Sequence, residues 1–109
     1  MTAVAIHPGG VIAVPLGEPG VARTWVIGRS KDADIVIDDA SLSRRHAMLH
    51  GGTSYQLEDL GSRNGTLVNG EPITSPRALE NGDRIKIGAA SLIFRCSRRL
   101  GTTESEMRP

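Results

Sequence analysis

The sequence predicts an all-β sandwich, and three observations carry that prediction. Apolar residues arrive in short bursts of strand length. No burst sustains the helical period of about 3.6 residues over three turns. Glycine, proline, asparagine and aspartate fill the gaps between bursts, as they do where short strands reverse direction. About ten short strands at this spacing make a sandwich, with a small barrel as the competing architecture.

In chain order the bursts are Val11 to Val14, Trp25 to Ile27, Ile35 to Ile37, Ala47 to Leu49, Tyr55 to Leu60, Thr66 to Val68, Arg84 to Ile87 and Leu92 to Phe94. Arg84-Ile85-Lys86-Ile87 alternates polar and apolar, as a half-buried strand does. Between bursts stand Pro8-Gly9-Gly10, Pro19-Gly20, Gly51-Gly52, Asn64-Gly65, Asn69-Gly70 and Asn81-Gly82. Glycine and asparagine accept positive φ, so these are the expected turns. Ser97 to Pro109 has no apolar burst beyond Leu100 and is rich in Ser, Thr, Glu and Arg. The domain is therefore expected over residues 1–96, followed by a flexible tail or the start of a linker over 97–109.

Composition bounds the function. A chain of 109 residues supports one core and no cleft between two lobes. One Phe, one Trp and one Tyr leave the core to aliphatic side chains and argue against base-stacking platforms and aromatic cages. Thirteen Lys and Arg against 12 Asp and Glu give a net charge of +1, too little for a general polyanion binder. No nucleic-acid or membrane partner is expected. Cys96 stands alone, so no internal disulfide can form. No signal-peptide pattern occurs between Met1 and Gly10, and a cytoplasmic protein is expected.

Two polar clusters carry the candidate chemistry. The first runs from Gly28-Arg29-Ser30 to Ser43-Arg44-Arg45-His46. The second is Asp59 to Thr66, continued by Asn69-Gly70. Both fall in loops between strands, where a rigid scaffold usually carries its binding residues. Arginine offers a planar fork that matches phosphate oxygens in pairs. Serine hydroxyls add neutral donors, and asparagine carries the donor and the acceptor needed to read a peptide backbone. The set is rich in donors and holds no nucleophile–base pair, so no enzyme activity and no cofactor are expected.

The joint order of Gly28-Arg29, Ser43-Arg44-Arg45-His46, Gly61-Ser62-Arg63-Asn64-Gly65-Thr66, Asn69-Gly70, Leu79, Gly82-Asp83 and Ile87-Gly88 resembles the forkhead-associated (FHA) domain, from about Val4 to Cys96. The resemblance implies a twisted antiparallel β-sandwich of about eleven strands, with ligand loops at one end. It implies a phosphothreonine-peptide-binding module downstream of a Ser/Thr protein kinase, monomeric as an isolated domain. Carried over residue by residue, it implies that Arg29 grips the phosphate and that Ser43 donates its hydroxyl to a phosphate oxygen. Arg44 would add a positive contact, Asn64 would bond the peptide backbone and Arg63 would line the same loop. Gly28, His46, Gly65, Thr66 and Asn69 would hold the loops. In some family members a basic residue two before the key serine selects an acidic side chain in the peptide. Ser41 stands there, and the short Gly88-Ala89-Ala90-Ser91 hairpin is expected to add little to selectivity.

Competing readings attach to several of these residues. Arg44 and Arg45 sit at the start of a strand, where neighbours point to opposite faces, so one of the two is expected to face the ligand. His46 and His50 have the spacing of a helical zinc pair, but a strand holds them about 13 Å apart. Thr102 and Thr103, followed by acids, are a conceivable internal phospho-ligand. For the whole domain, the alternatives are a phosphorylation-independent interaction through a sheet face and, remotely, a carbohydrate-binding or hydrolytic β-sandwich.

Overall fold

A computed structural model describes residues 2–7, 10–15 and 21–95, the first two stretches by their backbone. Cys96, the expected boundary there and the tail with Thr102 and Thr103 lie outside the described residues. The strands are β1 (Thr2–His7), β2 (Gly10–Pro15), β3 (Arg23–Gly28), β4 (Ile35–Val36), β5 (Ala47–Gly51), β6 (Gln56–Asp59), β7 (Thr66–Val68), β8 (Glu71–Pro72), β9 (Arg77–Ala78), β10 (Arg84–Ile87) and β11 (Ala90–Arg95). They form a six-stranded sheet in the order β2-β1-β11-β10-β7-β8 and a five-stranded sheet in the order β4-β3-β5-β6-β9. Every pairing is antiparallel except that of β3 with β4. A parallel pair normally needs a long crossover. This one is a ladder of only two residues, with Ile27 opposite Ile35 and Gly28 opposite Val36. The Asp34 carboxylate accepts the Val26 N–H at 2.8 Å, and the Ile37 N–H reaches the Gly28 carbonyl at 2.9 Å.

Register puts the apolar bursts in the core. Trp25 faces Leu49, which faces Leu57, along one row of the five-stranded sheet. Val68, Ile85 and Leu92 form the matching row of the other sheet. Residues opposite each other share a face, so these rows bury together between the sheets. The three rings meet inside: Tyr55 lies 6.2 Å from Trp25 and 5.1 Å from Phe94, centroid to centroid.

The bursts and the strands differ in instructive ways. Ile37 is fully buried but lies beyond β4. The two-residue strands β8 and β9 have no burst, because both residues of β8 and one of β9 are exposed and neither strand fills a row of the core. Asn69 does take the left-handed conformation, with φ of 51°. Its amide then donates to Asp83 at 3.0 Å and accepts the Arg84 N–H at 2.9 Å, tying the β7–β8 turn to the approach to β10.

One close approach sets up everything that follows. A Cβ built on Gly28 would lie 2.0 Å from the Arg44 carbonyl oxygen. Only glycine lets the segment before β5 lie directly on the end of β3. That contact is closed by two backbone bonds, Arg29 N–H to Ser43 C=O at 3.1 Å and Ser30 N–H to Arg44 C=O at 3.2 Å.

Candidate functional site

The end of β3, the 37–46 loop, the 60–65 loop and the β10–β11 turn converge at one end of the sandwich. A cleft of about 310 Å³ opens there, lined by Arg29, Ser41, Leu42, Ser43, Arg44 and Arg63, with Ala40. No carboxylate lines it. Arg29 is held by its Nε, which donates to the Leu42 carbonyl at 3.1 Å. Its two terminal nitrogens remain for a ligand. Among the described residues, the Arg44 and Arg63 guanidiniums enter no ion pair.

Ser43 is oriented by its neighbours. Its Oγ accepts the Arg63 N–H at 3.0 Å. A hydroxyl that accepts through a lone pair keeps its proton for another partner. Ser43 is therefore poised to donate into the cleft. Its own backbone N–H is spent on His46, whose Nδ1 accepts it at 3.1 Å. His46 is fully buried, and its Nε2 lies 2.8 Å from the Gly65 carbonyl. Since Nδ1 accepts, Nε2 must carry the proton and donate. One neutral imidazole thus joins the Ser43 loop to the Gly65 loop.

Asn64 sits outside the cleft lining and leans toward it. Its amide nitrogen donates one hydrogen to the Ser41 carbonyl at 2.7 Å. The second hydrogen and the amide oxygen stay available, one donor and one acceptor. Asn69, by contrast, is not part of this cluster; it serves the β7–β8 turn described above.

Two residues have roles that the sequence reading did not assign them. The first is Asp59, at the end of β6 and opposite Ala47. Its carboxylate accepts the N–H groups of Gly61 at 3.0 Å and Ser62 at 3.1 Å, and the hydroxyls of Ser62 and Thr66. Thr66 is buried in β7 of the other sheet, so the Thr66 bond spans the sandwich. An Asp followed by Gly and Ser two and three positions on is the usual signal for this kind of turn. Partial burial pushes the Asp59 carboxyl up, but the Ser62 and Thr66 hydroxyls and the two backbone N–H groups outweigh it and hold the group below its ordinary range. A depressed carboxyl adds stability above its unfolded value, near 3.8, that is lost as pH falls through the lower folded value. Urea midpoints of the parent and Asp59→Asn should therefore differ most near neutral pH and converge below about pH 4. A gap unchanged down to about pH 2 would remove the carboxylate's charge from this account.

The second is Ser41. Its Oγ accepts the Ala89 N–H at 2.7 Å, and both its N–H and its hydroxyl turn to Asp39. A Cβ on Gly88 would lie 2.6 Å from that Oγ. The short β10–β11 turn, expected to add little, is thus fastened to a residue of the cleft wall.

What the cleft can do chemically is bind an anion presented on an extended chain. Arginine forks and a serine proton face it, and an asparagine with a free donor and acceptor stands at its edge. Residues 25–88 match the FHA domain family model. The chain belongs to the forkhead-associated family. It is 51% identical over 73 residues to the glycogen accumulation regulator GarA of Mycolicibacterium smegmatis, covering 65% of this chain and 45% of that protein. It is 49% identical over 73 residues to the oxoglutarate dehydrogenase inhibitor of Corynebacterium jeikeium, covering 66% of this chain and 50% of that one. The chain spans about half the length of these curated relatives. The structure of Mycobacterium tuberculosis EmbR in complex with a low-affinity phosphopeptide superposes with a TM-score of 0.72 at 36% identity, over 86% of this chain and 24% of EmbR. In this FHA domain no helix among the described residues is long and apolar enough to cross a membrane.

Proposed function

We propose that this FHA domain binds phosphothreonine in a partner protein and does no catalysis of its own. The observation that carries the reading is the cleft lined by Arg29, Ser43, Arg44 and Arg63, with the Ser43 Oγ accepting the Arg63 N–H and no carboxylate in its walls. A phosphothreonine carries about −1.5 to −2 charges and three strong acceptor oxygens. Arg29 and Arg44 grip those oxygens, Ser43 donates to one of them, and Arg63 screens the charge from the facing loop. Asn64 pairs with the peptide backbone through its remaining donor and acceptor. Gly28, His46, Gly65 and Thr66 keep the loops in register, and Asn69 steadies the neighbouring turn. EmbR, a relative of the same fold, is known in complex with a phosphopeptide, which supports the ligand class.

The reading extends to a cytoplasmic, monomeric module acting downstream of a Ser/Thr protein kinase. Affinity is modest and salt-sensitive, because a flexible peptide must be ordered against a few charged contacts. The test is an oriented phosphothreonine library, with matched phosphoserine and unphosphorylated libraries beside it. The phosphothreonine pool should be retained and the unphosphorylated pool should wash through. Retention indifferent to phosphate would overturn the reading. It would favour the groove of about 320 Å³ on the six-stranded sheet, between Leu67, Arg84, Lys86 and Ile93, as the interaction face.

A further inference from the structure

Two serines line the phosphate cleft, and they are bonded differently. The Ser43 Oγ accepts the Arg63 N–H and keeps its proton for a ligand. The Ser41 hydroxyl proton is already spent on the Asp39 carboxylate, and its oxygen takes the Ala89 N–H at 2.7 Å. The Ser41 N–H also turns to Asp39, at 2.8 Å. The Ser41 carbonyl accepts the Asn64 amide at 2.7 Å. Its N–H, hydroxyl and carbonyl thus all have partners inside the protein. Those partners come from its own loop, from the 60–65 loop and from the β10–β11 turn.

The bond to Asn64 does more than join two loops. An exposed asparagine otherwise samples several rotamers and can present its amide in either sense. With one Nδ2 hydrogen on the Ser41 carbonyl, the amide plane is fixed. Oδ1 and the second hydrogen then keep one order along the edge of the cleft. A side chain ordered beforehand spares the complex that ordering cost. The Ser41 carbonyl itself has little freedom. Asp39 anchors its residue at two points, and the turn presses on it from the other side. A Cβ on Gly88 would lie 2.6 Å from the Ser41 Oγ and 2.7 Å from the Ser41 carbonyl oxygen.

We propose that Ser41 is the positioning residue for Asn64, and that through it the β10–β11 turn controls affinity without touching the ligand. Neither Gly88 nor Ala89 lines the cleft. Ser41 has no proton left to give a phosphate, so its effect on binding passes through the amide that its carbonyl holds. That effect rests on the phosphothreonine reading above, while the network itself stands in the free domain and can be measured there.

The test uses the whole chain and has two arms. In the free protein, nuclear magnetic resonance reads the Asn64 side-chain amide. Ser41→Ala and Gly88→Ala should each move its hydrogen-bonded proton toward the position of an unbonded amide. In the second arm, calorimetry reads a phosphothreonine peptide. Ser41→Ala should bind it about two- to tenfold more weakly than the parent. Gly88→Ala, a change on the turn, should do the same. In an Asn64→Ala background, either change should cost less than about twofold, because the side chain it positions is gone. Thermal melts show which variants stay folded, and Ser41→Ala decides the matter if Gly88→Ala does not. A Ser41→Ala protein that binds as the parent does would overturn the positioning role. So would a loss undiminished in the Asn64→Ala background, or an Asn64 amide signal that Ser41→Ala leaves unmoved. If no peptide binds the parent, the phosphothreonine reading fails, and the amide signal alone decides whether Ser41 holds Asn64.

Discussion

Arg29→Ala should abolish most phosphopeptide binding and leave the domain folded. The side chain makes one bond inside the protein, from Nε to the Leu42 carbonyl, which is worth about 1 kcal/mol net. The backbone bond from Arg29 to Ser43 does not need the side chain and survives. Truncating one partner of a hydrogen-bonded charge pair in an interface costs about 2–5 kcal/mol. The dissociation constant should therefore rise roughly 30-fold or more. Arg29→Lys should fall between, since it keeps the charge and loses the fork. Calorimetry with a phosphothreonine peptide reads the binding, and far-ultraviolet circular dichroism with a thermal melt reads the fold. An Arg29→Ala protein that binds as the parent does would remove Arg29 from the site.

His46→Leu should do the reverse and damage the fold first. The imidazole is the partner of the Ser43 N–H and of the Gly65 carbonyl, and it is fully buried. Leucine offers neither a donor nor an acceptor. Each buried group left without a partner costs about 1–3 kcal/mol, so the pair should cost about 2–6 kcal/mol. Against a total stability of about 5–15 kcal/mol that is severe, and for a domain of this size it lowers Tm by roughly 10 °C or more. His46→Gln should recover part of the loss, because an amide carries both a donor and an acceptor. Binding should fall with the fold, as the Ser43 hydroxyl and the Arg63 N–H that orients it ride on the two loops His46 connects. A His46→Leu domain as stable as the parent would show that the loops find other partners.

How far these residues were legible depended on the range of the interaction that places them. Trp25, Ile27, Leu49, Leu57, Ile85 and Leu92 were readable as core because strand burial is local and periodic. Asn69 was readable as a turn for the same reason, but its bonds to Asp83 and Arg84 join positions 14 and 15 residues away and leave no local pattern. The site arginines and Ser43 were readable through a family pattern, not through physics alone. Ser41 and Asp59 show what that pattern leaves out. Ser41 matters through the Ala89 N–H, 48 residues on, and through the Cβ that Gly88 lacks. Asp59 had a local signal in Gly61 and Ser62, yet its tie to Thr66 crosses between sheets and emerges only when they pack. The difference between Arg44 and Arg45 is of the same kind. Adjacent side chains in an extended segment diverge, but that Arg44 lines the cleft and Arg45 does not is decided by the surroundings.

The pairing of β1 with β11 has a consequence for how the domain can be wired into a longer polypeptide. Thr2 stands opposite Arg95, so the chain enters and leaves the sandwich side by side. The other end of β11 is Ala90, next to the turn that is fastened to Ser41 at the cleft. Six residues of strand, about 20 Å, separate the two ends. The two strand ends, Thr2 and Arg95, therefore lie at the pole remote from the ligand. Such a bead can be threaded between two other modules without lengthening their connection or shadowing its own cleft. Joined by a short tether, it would hold a phosphorylated neighbour at the high effective concentration that makes a modest affinity sufficient.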